Sequence, residues 1–343
     1  MSRAFNSIAA TVLVLLAVGC GRPAGVIFPP VTPHRAWPAP PDPPRIRYVG
    51  QLSSADDLKP SESGWQQFGF ALTGRPPTAA LVAPSDVAHE GGRLYVADPG
   101  LAAVVLFDFA SRRVTAIAQA GTSRLDRPTH VALGPGVLFV SDAGAGCIHV
   151  FDRTGLYRHT WGAGRIGRPA GLTYCPANDR LYVADVTRHR IISFSPQGEV
   201  LQAFGHRGSN PGELNFPTSL CWHNRLGLLV ADTMNFRVQR FDTDGRFLAA
   251  FGRKGDAAGD FALPKGVACD RQGHIFVVDA HFENFQTFDD AGRLLMALGT
   301  EGQAPGQFWL PAGIHIDSAD RIWVADTYNR RVQVFDLIGE QAG

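Results

Sequence analysis

RIWVADTYNRRVQVFD, residues 321 to 336, holds two strands and a turn. Ile322-Trp323-Val324-Ala325 is a continuous apolar run, as a strand covered on both faces needs, and Val332-Gln333-Val334-Phe335 alternates with period two. Between them, Asp326-Thr327-Tyr328-Asn329 supplies side chains that bond their own backbone and turn the chain. The first half recurs as LYVAD ending at Asp98, LFVSD at Asp142, LYVAD at Asp185, LLVAD at Asp232 and IFVVD at Asp279, making six copies with Asp326. By subtraction the steps between these aspartates are 44, 43, 47, 47 and 47 residues. A phenylalanine follows each by nine positions, at Phe107, Phe151, Phe194, Phe241, Phe288 and Phe335. The strand-turn-strand unit therefore never changes length. The prolines that open the copies (Pro84, Pro128, Pro169, Pro217, Pro264 and Pro311) lie 14 to 16 residues before their aspartates, so most length variation falls between a phenylalanine and the next proline.

A repeat of this length, made of short strands without helical periodicity, predicts an all-β, six-bladed β-propeller with four-stranded blades. The inner strand a follows the proline, b precedes the aspartate, c ends at the phenylalanine, and d ends in Phe-Gly, as at Phe251-Gly252. Pro264-Lys265-Gly266-Val267, with Asp232-Thr233-Met234-Asn235-Phe236-Arg237 and Asp326-Thr327-Tyr328-Asn329-Arg330-Arg331, resembles NHL repeats over roughly Pro84 to Asp336. That resemblance implies the propeller fold, which serves binding modules and a few enzymes alike. The last copy stops at strand c, with only Leu337 to Gly343 after it. Arg45 to Leu52 (RIRYVGQL) alternates like a strand, so an N-terminal strand is expected to complete the C-terminal blade and close the ring.

The chain divides into a leader (1–19), a proline-rich segment (20–44) and the propeller (45–343). Arg3, the short apolar run Ile8 to Val18, and Ala17-Val18-Gly19 before Cys20 resemble a bacterial lipoprotein signal, which implies lipidation at Cys20 and a membrane anchor. Gly21 after the cysteine resembles the Gram-negative sorting signal for the outer membrane, so a cell-envelope location is expected. Gly21 to Pro44 has no periodicity and is expected to form an extended tether. Ser53 to Ala83 is expected as a long d-to-a loop.

Apolar residues make up 45% and charged residues 18% of 343 positions, which fits one large globular domain. The 32 basic and 31 acidic residues become 31 and 31 once Arg3 leaves with the leader. Net neutrality argues against nucleic acid as a partner. Membrane contact through the lipid and a protein partner in the envelope are expected for a monomeric propeller. Gly162 to Gly167 fits GxGxxG, yet it leads into Pro169 and a strand rather than a helix, so it is no dinucleotide site. Cys147, Cys175, Cys221 and Cys269 show no CxxC or zinc spacing and are expected as buried apolar thiols. No cofactor is expected.

The repeated aspartates are expected to knit each b–c turn, so function is sought where blades depart from one another. The b–c turns and d–a loops open on one face. There Arg188, His189 and His281 replace the small or amide side chains of sibling turns. Two residues after each opening proline, three blades carry Gly171, Gly266 and Gly313, whereas the others carry Asp86, His130 and Ser219. Asp86, His130, Ser219 and Lys265 are expected to form a polar patch at the channel mouth, with Asp86 raising the pKa of His130. The function expected is non-enzymatic binding of a protein or exported ligand at that face. The alternative, a metal-dependent lyase or hydrolase, rests on a distant resemblance to peptidyl-hydroxyglycine amidating lyases, which hold zinc with three histidines. His189 matches one of them, but no histidine follows any of the six opening prolines: the residues there are Ser85, Thr129, Ala170, Thr218, Lys265 and Ala312.

Overall fold

The computed structural model describes residues 22–73 and 79–338. Cys20, the expected lipidation site, lies outside them. Six sheets surround one axis. Blade 1 runs Asp86–Glu90, Arg93–Asp98, Ala103–Asp108 and Arg113–Ile117, from the inner strand a to the outer strand d. Blades 2 to 5 repeat this order, with inner strands Pro128–Gly134, Pro169–Cys175, Pro217–His223 and Pro264–Cys269. Blade 6 consists of Pro311–Ile316, Arg321–Asp326 and Arg331–Leu337, and Ile46–Leu52 takes the d position, with Tyr48 opposite Phe335 and Leu52 opposite Val332. The expected closure is present.

The fixed interval between aspartate and phenylalanine has a register cause. In every blade the phenylalanine of strand c stands opposite the strand b residue four places before the aspartate, from Leu94 opposite Phe107 to Ile322 opposite Phe335. One inserted residue would turn each later side chain of strand c to the other face and eject its phenylalanine from the core. Beyond its first residue, strand b is buried in each blade because neighbouring sheets cover both its faces, whereas strand d keeps exposed positions in every blade. The core is accordingly divided among six seams, one between each pair of adjacent blades. Burying one such phenylalanine stabilises the fold by about 1.5–3 kcal/mol.

The DTxNxR segments knit blades as well as turns. Each repeated aspartate accepts backbone N–H bonds from the residues before its own proline, as Asp142 does from Asp126 (2.8 Å) and Arg127 (2.8 Å). The following threonine reaches the next blade: Thr233 Oγ1 donates to the Pro264 carbonyl (2.7 Å) and Thr327 Oγ1 to that of Pro84 (2.8 Å). Asn329, Arg331 and Gln333 all converge on Asp326 Oδ2 at 2.7 to 3.0 Å. The same trio, Asn235, Arg237 and Gln239, meets Asp232 in blade 4.

Two segments differ from expectation. Residues 22–44 lie on the propeller instead of standing off it. Ala36–Trp37 pairs with the closing strand, and Trp37 meets the Phe335 ring edge-on at 6.0 Å. Phe28 packs edge-on against Trp323 (6.2 Å) and Phe109 (6.1 Å), across the seam of blades 6 and 1. Both rings use space that glycine leaves: a Cβ on Gly50 would come within 2.7 Å of Phe28, and one on Gly306 within 2.4 Å of Trp37. Burial of these aromatic faces overrides the extended preference of the prolines. Within the expected loop after the closing strand, Ala55–Leu58 is a 3-10 turn and Gly64–Thr73 an α-helix. No helix among the described residues is long and apolar enough to cross a membrane.

Candidate functional site

The inner strands line two cavities that follow one another along the axis, about 250 Å³ at the mouth and about 220 Å³ deeper in. The mouth lies on the face where b–c turns and d–a loops open, with Ala143 and Val186 from two such turns in its wall. His130 lines both cavities and so marks the neck between them. A larger cavity of about 430 Å³ lies off the axis at the seam of blades 5 and 6, where its histidine, His274, is bonded to Asp270 at 2.6 Å.

The position two residues after each proline is as crowded as its glycines suggest. A Cβ on Gly171 would stand 2.5 Å from the Cα of Ser219, and one on Gly313 the same distance from that of Asp86. Asp86 and Ser219 use their side chains on the following blade: Asp86 Oδ2 accepts from the Val131 amide (3.0 Å) and Ser219 Oγ from the Val267 amide (3.2 Å). Both are thus links between blades. Burial pushes the Asp86 carboxyl up to about 7, against the pull of the Val131 and Val87 amides.

His130 reverses the expected direction. Burial first, and then the charge of Lys265, press its pKa down to about 3. Desolvation in the narrow channel outweighs any help from Asp86, so the imidazole is neutral. Its Nδ1 is buried and has no hydrogen-bond partner. Lys265 stands at the mouth beside it, lowered in turn by burial and then by Arg168. No described residue pairs with the ammonium of Lys265 or with the guanidinium groups of Arg127 and Arg168, and no carboxylate among the described residues lines the mouth. Ser85, Thr129 and Thr218 supply hydroxyls, but these are engaged: Ser85 Oγ donates to the Thr129 carbonyl (2.7 Å) and Thr218 Oγ1 to that of Lys265 (2.9 Å).

The channel therefore gathers Asp86, His130 and Ser219, and Lys265 joins His130 at the mouth. Arg188, His189 and His281 line neither cavity. Arg188 donates to the Arg165 carbonyl, tying the b–c turn to its own d–a loop. His189 Nδ1 accepts from the Phe216 amide (3.1 Å) and its ring meets that of Phe216 edge-on at 4.6 Å, so it holds the loop of the next blade. The His281 amide donates to Asp279 (3.0 Å) while its ring is exposed. Arg127 and Arg168 were missed by sequence reasoning. Their signal is the residue before the opening proline, where the siblings carry Ala83, Phe216, Leu263 and Leu310.

The cysteines divide into two pairs. Cys147 and Cys175 are buried, whereas Cys221 and Cys269 are half-buried and face the deeper cavity. Burial raises the Cys269 thiol well above its ordinary pKa, with a hydrogen bond to Cys221 adding to the effect. Among the described residues no three His, Cys, Asp or Glu side chains converge as a metal site.

The NHL repeat family model matches residues 308–335, in the sixth blade. The chain thus carries an NHL repeat within a six-bladed propeller. No curated protein matches the sequence. Among solved structures, an auxiliary nutrient binding protein from Bacteroides thetaiotaomicron aligns with a TM-score of 0.58 at 12% identity, covering 74% of this chain and 69% of that one. Virginiamycin B lyase from Staphylococcus aureus aligns at 0.56 with 12% identity, covering 75% and 96%. A gluconolactonase from Xanthomonas campestris aligns at 0.56 with 19% identity, covering 93% and 100%. Identities this low carry the fold alone.

Proposed function

We propose that this NHL propeller is a non-enzymatic binding module of the cell envelope, anchored through a lipid on Cys20, which receives a partner or exported ligand at its channel mouth. One observation carries the reading: the mouth is a concave site with cationic side chains and no carboxylate in its wall. Concave sites with a few convergent polar groups are where propellers and other folds hold ligands. The structural neighbours include a nutrient binding protein and a lyase, so they favour neither class. The alternative, a metal-dependent lyase or hydrolase, needs three convergent ligands, and the described residues bring no such group together.

The test is affinity capture from detergent-solubilised membranes, with the parent protein set beside an Ala312→Trp variant that fills the mouth. A partner or small molecule retained by the parent and lost from the variant is the expected result. Equal retention by both proteins would move the binding surface away from the channel. In the same preparation Cys20→Ser is expected to shift the protein to the soluble fraction; unchanged fractionation would remove the anchor.

A further inference from the structure

We infer that the channel mouth is an anion receptor, in which Lys265, Arg168 and Arg127 take a ligand's carboxylate or phosphate group above His130. This rests on the mouth being the binding surface and names the chemistry that it selects.

The first support is electrostatic. Lys265 lies close enough to Arg168 for that charge to disfavour its own, and close enough to His130 to disfavour protonation there. Arg127 and Arg168 reach the rim from exposed positions, whereas Lys265 is half-buried and bears the cost of the like charge beside it, a penalty that an anion placed among them removes. In the b–c turns of blades 4 and 6, and on one d–a loop, cations of the same face are instead paired with carboxylates. Arg237 faces Asp232 at 2.9 Å, Arg331 faces Asp326 at 2.7 Å and Arg253 faces Asp260 at 2.8 Å. The second support is independent of charge. The buried Nδ1 of His130 has no partner at the neck, an unmet hydrogen bond of the kind that a ligand or an ordered water completes. A neutral imidazole there leaves the cations to set the preference while adding none of its own repulsion.

Size narrows the class. About 250 Å³ corresponds to roughly eight waters at liquid density, which is more than a single carboxylate or phosphate group occupies. The ligand therefore carries its anionic group on a small body. Two guanidinium groups favour planar, bidentate recognition of either anion.

Isothermal titration of the full chain with inorganic phosphate, and separately with malonate, tests the inference. At least one is expected to bind at millimolar concentration or better, and which one binds assigns the source. Lys265→Met and Arg168→Gln should each weaken that binding by about tenfold or more, the scale of one charge-assisted hydrogen bond. Both variants should melt within a few degrees of the parent, so that lost binding is not lost folding. Binding should also weaken as salt rises. Failure of both anions to bind, or undiminished binding by the two variants, overturns the anion receptor. The two readings fail separately: a neutral or cationic ligand captured by the parent and excluded by Ala312→Trp would keep the mouth as the binding surface and refute its anion selectivity, whereas equal capture by both proteins would refute the mouth itself.

Discussion

The arginine of a b–c turn and the lysine of the channel mouth lie on the same face of the same propeller, yet they are treated oppositely. Arg331 is buried and spends its donors inside the protein, on Asp326 (2.7 Å), Gln51 (2.8 Å) and the carbonyls of Gln303 (2.6 Å), Ala304 (3.3 Å) and Gln307 (2.8 Å). Lys265 is half-buried, and no described residue pairs with its ammonium. Burial alone does not separate a structural cation from one kept for a ligand. The partners do.

The widest gap should appear on removing the matched charge. Arg331→Ala strands the Asp326 carboxylate in the interior and is expected to cost about 3–5 kcal/mol in denaturant unfolding, with Arg331→Lys restoring only part because a single ammonium cannot span those acceptors. A cost below about 1 kcal/mol would break the contrast.

Asp86 offers an intermediate effect with a definite sign. Its folded pKa, near 7, lies above the ordinary carboxylate value, so between pH 4 and 7 the folded state holds a proton that the unfolded chain releases. That contribution is lost as pH rises through the window and stays lost above it. Asp86→Asn keeps an acceptor for the Val131 amide without the charge. It should raise stability by on the order of 2–4 kcal/mol at pH 8 and by almost nothing at pH 4. His130 opposes this below neutrality: a pKa lowered to about 3 contributes stability that is present above 6.5 and lost as pH falls. A melting curve at pH 8 that is lower for Asp86→Asn than for the parent would mean that the carboxylate is paired after all.

Smallest of the three, Lys265→Met should leave stability unchanged or raise it by up to about 1 kcal/mol, since it removes a desolvated charge without orphaning a partner. Loss of stability comparable to that of Arg331→Ala would show that Lys265 has a structural partner and would erase the distinction between the two sites.

The ring of blades was legible in the chain because every blade must solve the same problem. The aspartate has backbone amides to collect, the phenylalanine has a fixed place opposite strand b, and neither tolerates a shift of register. The crowding at Gly171 and Gly313 was legible for the same reason. The site was legible only in part. Asp86 and Ser219 do stand out from their siblings, but they do so because they bridge blades, a use that depends on which amide of the next sheet lies within reach. The direction of the His130 shift depends on how much water the channel admits, which no local pattern encodes. Arg127 and Arg168 look like ordinary surface charges until the prolines that follow them bring them to one rim. The docking of Phe28 and Trp37 depends on glycine-lined space far away in the sequence, at Gly306 for Trp37, and a proline-rich composition gives no hint of it.

The closing strand also fixes a timetable. Arg47 and Asp336, joined at 3.0 Å across the last strand pair, are separated by 289 residues. Loop closure over such a span is entropically costly and comes late, after blades whose own strands are consecutive in sequence. While the chain is being made, Ile46–Leu52 emerges early and waits as an unpaired apolar edge until blade 6 exists. A chain that stops before Val332 can never satisfy it, and such a fragment carries a ready template for aggregation. Quality control is in this sense written into the ring: only a chain that reaches strand c of blade 6 covers the strand that precedes blade 1.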